Sequence, residues 1–123
     1  MLQLLLPRGR QSIRRSNEEQ LLMIPNLQFT TEEEFLEQMQ EHAYAIHIRI
    51  LDAIEIAMLT GETDPLIAFL NDDFEMHLPI TDWIRNLEQT LLYFEAEEDY
   101  NRCQDVVILT KKVKTFLGKD LVN

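Results

Sequence analysis

Cysteine is nearly missing from this chain of 123 residues, and Cys103 stands alone. An internal disulfide is excluded, so the fold must hold by packing, which suits a reducing compartment. Glycine is almost as scarce. Gly9, Gly61 and Gly118 are isolated from one another, and no glycine-rich phosphate loop can form. No apolar run approaches the roughly 18 to 20 residues that a membrane span requires. Met1 to Leu6 is apolar, but no basic residue precedes it and it runs straight into Arg8 and Arg10, unlike a secretory leader. A soluble, cytoplasmic protein with no membrane partner is the expectation.

Basic residues are also missing from the middle of the chain. Residues 18–110 carry 21 of the 22 acids against only Arg49, Arg85 and Arg102, a surplus of 18 negative charges. Residues 1–17 hold Arg8, Arg10, Arg14 and Arg15 with no acid, and residues 111–123 hold Lys111, Lys112, Lys114 and Lys119 against Asp120. The formal net charge is −11. Such a balance aids solubility and steers a protein toward basic partners, and it repels a duplex, so direct nucleic-acid binding is not expected.

What the chain does have is apolar helix. Hydrophobic residues make up 46% of it, the composition of one folded domain with one core. Thr31 and Glu34 form a capping box, and Glu32 and Glu33 suit the positive end of a helix dipole. Phe35, Met39, Ala43, Ile46, Ile50, Ala53 and Ala57 then recur at helical spacing. Gly61 is the expected terminator. A helix from Thr31 to Leu59 would be about 42 Å long, more than the ~35 Å breadth of a sphere of this chain length. It must kink, lengthen the domain, or share its apolar flank with another subunit. An elongated body with a shared flank is the reading taken from the sequence.

Further along, Asp64 and Pro65 read as the cap and first residue of a short helix reaching Asn71 or Glu75. Thr81 or Asp82 caps a helix carrying Trp83, Ile84, Leu87, Leu91 and Phe94, and Asp99 caps the next, which keeps its period until Gly118. So short a connection predicts an antiparallel helical hairpin from Asp82 to Leu117. Upstream, Ser16 and Glu19 form a further capping box for a short helix through Met23, stopped by Pro25. The expected fold is all-α: an elongated helical bundle with one long central helix, a short helix and a C-terminal antiparallel helical hairpin. Residues 1–30 read as a basic N-terminal arm and residues 31–123 as the bundle.

Chemistry is thinly represented. No Glu stands three residues before His42, His47 or His77, and His42 and His47 are five apart, so neither di-iron nor two-histidine zinc spacing is met. Asp73 and His77 are four apart and read as a surface or capping contact. Cys103 lies on the apolar stripe of the last helix, where an inert packed thiol is expected. No cofactor, metal or catalytic residue is expected.

The run Tyr93-Phe94-Glu95-Ala96-Glu97-Glu98-Asp99-Tyr100-Asn101-Arg102-Cys103 resembles the turn of small helical hairpins such as the UvrB/UvrC-type interaction motif. That resemblance implies two paired amphipathic helices docking on a similar hairpin. It carries over no function.

Four amphipathic segments supply more apolar helix surface than one small bundle readily covers. The expected function is therefore a non-enzymatic adaptor or regulatory accessory subunit acting as a homo-oligomer with protein partners, of the kind common among phage accessory proteins. Leu4, Leu5, Arg8, Arg10, Arg14 and Arg15 of the arm, with Ile46, Ile50, Ile54 and Met58 of the central helix, are the expected partner-binding residues. The alternative is an acidic mimic of nucleic acid that inhibits a basic nucleic-acid-binding protein.

Overall fold

Thr31 opens the first helix, α1 (Glu32–Glu41), through a complete capping box. Its hydroxyl accepts from the Glu34 N–H at 3.1 Å, and Glu34 Oε1 accepts from the N–H groups of Thr30 and Thr31 at 2.7 and 3.3 Å. The Thr30 N–H and then the Thr30 hydroxyl hold the Glu34 carboxyl below its ordinary range. The computed structural model describes residues 24–122, with side chains placed through residue 118.

The expected single helix from Thr31 to Leu59 is corrected by a bend at His42, whose φ of −100° and ψ of 15° interrupt the helix before α2 (Ala43–Thr60). The two halves answer to different surroundings. No α1 residue is buried, and Phe35 meets Phe29 edge-on at 4.8 Å. In α2, by contrast, Ile46, Ile50, Leu51, Ala53, Ile54 and Ala57 are all buried. Bending lets each half follow its own apolar face. It also shortens the straight rod to 18 residues, about 27 Å, which one small domain can house. Gly61 ends α2 in the left-handed conformation at φ 83°, the role expected of it.

The all-α expectation is overturned between Pro65 and His77. In place of a short helix, the chain forms β2 (Leu66–Leu70) and β3 (Phe74–His77), with β1 (Asn26–Leu27) completing a three-stranded mixed sheet in the order β1-β2-β3. β1 runs parallel to β2 and β3 antiparallel to it. Asn71 and Asp72 take positive φ of 51° and 69°, which asparagine and aspartate tolerate best among residues with a side chain. The chain therefore reverses after only three residues. The Asn71 carboxamide and the Asp72 carboxylate then accept from the Phe29 N–H at 2.8 Å and from Asn26 Nδ2 at 2.7 Å, pinning β1 to the turn.

After a 3₁₀ turn at Ile80–Asp82, α3 (Trp83–Ala96) and α4 (Tyr100–Val122) form an antiparallel pair. Trp83 at the start of α3 stacks near Phe116 late in α4, with ring centroids 6.4 Å apart. Asp82 precedes α3 without capping it, and its carboxylate instead accepts from Arg85 at 2.9 Å. Glu98, at φ 58°, makes the turn: the Asp99 N–H donates to Phe94 O and the Glu98 N–H to Glu95 O, a Schellman closure. Gly118 does not end the last helix, which continues to Val122.

The core lies where α2 meets the sheet on one side and the α3/α4 pair on the other. It joins Leu27 and Ile67 to Ile46, Ile50 and Ile54, and these to Trp83, Leu87, Phe94, Val106 and Val113. Among the described residues, no helix is long and apolar enough to cross a membrane.

Candidate functional site

The expected partner-binding residues of the central helix turn inward. Ile46, Ile50 and Ile54 are buried in the chain's own core, so a partner could reach them only by opening the domain. Met58 is half-buried at the edge of a surface groove. Leu4, Leu5, Arg8, Arg10, Arg14 and Arg15 lie outside the described residues.

That groove runs between α2 and α4. Its first hollow, about 350 Å³, has Leu51, Asp52 and Glu55 on the α2 side and Arg102, Asp105, Ile108, Leu109 and Lys112 on the α4 side. A second hollow, about 420 Å³, shares Lys112 and continues along Met58, Lys111, Thr115 and Phe116. Arg102 reaches Asp105 at 3.6 Å. Leu51 and Leu109 underlie the first hollow among five charged side chains, and Met58 and Phe116 give the second a mainly apolar surface; the α2 wall is acidic and the α4 wall predominantly basic. Ile108 (51% exposed) belongs to the first hollow, and Leu59 (83% exposed) stands one turn beyond Glu55 on α2, which helical spacing sets on the same side of that helix.

Sequence reasoning passed over these wall residues because it followed the buried stripe of each helix. The signal was present: Arg102, Asp105, Leu109, Lys112 and Phe116 are spaced three, four, three and four apart, which sets them along one side of α4.

The histidines occupy quite different places. His47 stacks on Tyr93 with centroids 4.4 Å apart, and its Nδ1 lies 2.8 Å from Thr90 Oγ1. Burial lowers its pKa, so it favours the neutral form. His77 stands in a strand rather than a helix, and its partners are not Asp73. Its Nδ1 lies 2.7 Å from the Asp64 carbonyl and its Nε2 2.8 Å from Glu75 Oε1. Burial opposes its charge, but the Asp64 carbonyl, the Glu75 carboxylate and the charges of both acids outweigh it and raise the pKa. His42 marks the bend between α1 and α2.

Cys103 is half-buried, and its thiol is pushed up by burial and by the charges of Glu95 and Asp99. That is the reverse of what an attacking thiolate needs. Arg49 is bound twice to one carbonyl: its Nε and Nη2 donate to Leu66 O at 3.0 and 2.9 Å. Among the described residues, no group of three His, Cys, Asp or Glu side chains is placed to hold a metal ion.

No protein family, curated protein or solved structure matches the chain.

Proposed function

We propose that this chain is a non-enzymatic protein–protein interaction subunit of the cytoplasm, an adaptor or regulatory accessory component that acts as an oligomer. The observation that carries the reading is the α2/α4 groove, which joins a hollow with opposed charged walls to one with a mainly apolar surface. Exposed Leu59 and Ile108 beside it are the kind of side chains that contact surfaces leave on free subunits.

The nucleic-acid-mimic reading has less support. Acids gather separately in the first turn of α1, at the β2–β3 turn and between α3 and α4, while Arg102, Lys111 and Lys112 interrupt any continuous acidic track across α4.

Light scattering on the full chain over a micromolar to near-millimolar concentration series tests the proposal. A mass of twice the 14.6 kDa chain or more is expected. A monomer across the whole series would overturn it.

A further inference from the structure

The two walls of the groove are complementary to each other, and that fixes how a second copy would fit. α2 contributes Asp52 and Glu55; α4 contributes Arg102, Lys111 and Lys112, with Asp105 already 3.6 Å from Arg102. α2 and α4 run in the same direction, since Leu51, Asp52 and Glu55 share a hollow with Arg102 to Lys112 while Met58 shares the next with Lys111 to Phe116. Consider two copies facing each other across this groove. A two-fold axis perpendicular to the helices and lying in the contact plane would set α2 on α2, acid against acid, and α4 on α4. An axis running along the helices sets each α2 over the partner's α4, acid against base at the same level. Like charges placed opposite each other disfavour the first arrangement.

Resting on the proposed oligomeric function, we infer that the chain forms a two-fold symmetric dimer through the α2/α4 face, with Asp52 and Glu55 of each copy meeting Arg102 and Lys112 of the other around Leu59 and Ile108. A two-fold contact uses the same patch twice, so the patch must be complementary to itself. This one is. The size also fits: a face about 27 Å long and about 20 Å wide, two helix diameters, presents roughly 540 Å² per copy before side-chain relief is counted. Twice that lies just under the about 1,200 Å² at which stable interfaces begin, and side-chain relief brings it into range. The expected dimer is thus a dissociable one. The overall charge of each copy opposes approach, but at physiological ionic strength fields are screened beyond about 8 Å, whereas wall-to-wall ion pairs lie inside that distance.

Two double variants test the geometry. Arg102→Glu with Lys112→Glu makes both walls acidic; Asp52→Lys with Glu55→Lys makes both basic. Each alone is expected to raise the dimer dissociation constant at least tenfold, and mixing the two in equal amounts should restore a heterodimer, read by light scattering and by native mass spectrometry. Circular dichroism of each variant checks that the helices are retained; these side chains lie on the surface, so folding should be unaffected. If the natural chain dimerises but the variants dimerise equally well, or if mixing restores nothing, this interface is wrong while oligomeric function stands. If the natural chain is monomeric throughout, both fall.

Discussion

The ring of His47 and the hydroxyl of Thr90 meet at 2.8 Å, and the Thr90 side chain is completely enclosed. This bond ties the first third of α2 to α3 at a level where Tyr93 and Phe94 pack around the same imidazole. Replacing Thr90 with valine keeps the shape and deletes the hydroxyl, leaving His47 Nδ1 without its partner. A loss of about 1 kcal/mol is expected, measured as a lower urea midpoint. An unchanged or higher midpoint would show that the bond contributes nothing to stability.

His47 and His77 should titrate on opposite sides of the free imidazole value of 6.5. His47 is lowered, so the unfolded chain takes its proton first: the stability linked to this neutral ring is complete above 6.5 and is lost as pH falls toward the folded value. His77 is raised, so its contribution is complete below 6.5 and is lost as pH rises through its folded value. Both His77 nitrogens face acceptors, and only the doubly protonated ring can donate to both. Following the two ring signals by NMR between pH 5 and 8.5 checks the order. A His47 midpoint above that of His77 would contradict the structure.

Glu98 holds a left-handed φ of 58° at the close of α3, and it adds negative charge where the helix dipole is already negative. Glycine relieves both costs. Glu98→Gly should stabilise the protein by about 1 kcal/mol, the left-handed penalty less the added freedom of glycine in the unfolded chain. Thermal unfolding monitored at 222 nm reports it as a higher Tm.

Trp83 is fully enclosed, and its indole N–H donates to Leu78 O at 2.9 Å inside the core. Trp83→Phe removes that donor and leaves a space beside Phe116. Together the unpaired carbonyl and the void should cost about 2 to 3 kcal/mol. Guanidinium denaturation followed by circular dichroism gives the value, and a change below about 0.5 kcal/mol would show that Leu78 O finds another partner.

The parts of this fold that could be read from the sequence are those set by neighbours along the chain. The Thr31–Glu34 box and the Gly61 terminator depend on residues three or four apart, and both stand where the sequence puts them. The stretch from Pro65 to His77 depends instead on distant partners. Leu66 to Leu70 is too short for periodicity to separate strand from helix, and Asp64-Pro65 can open either. The adjacent Asn71 and Asp72 were the local sign of a turn. Gly118 misled in the other direction, since one glycine inside a helix costs only about 1 kcal/mol relative to alanine, and the helix runs on to Val122. The candidate groove escaped notice because each wall belongs to a different helix. Helical spacing marks one side of α4, but only the fold brings Asp52 and Glu55 alongside it.

Arg49 has a consequence beyond its own two bonds. The Leu78 N–H donates to Pro65 O, so the neighbouring Leu66 carbonyl points to the opposite edge of β2. β1, which pairs only with Phe69 and Leu70, does not reach it there. The guanidinium fills that position and denies it to any passing strand. Leu66 to Leu70, an uncharged and wholly apolar run without proline or glycine, is the kind of segment that seeds amyloid when its edge lies bare. Arg49→Met should therefore make the chain more prone to fibrillise on storage, visible as a rise in thioflavin fluorescence above that of the natural chain.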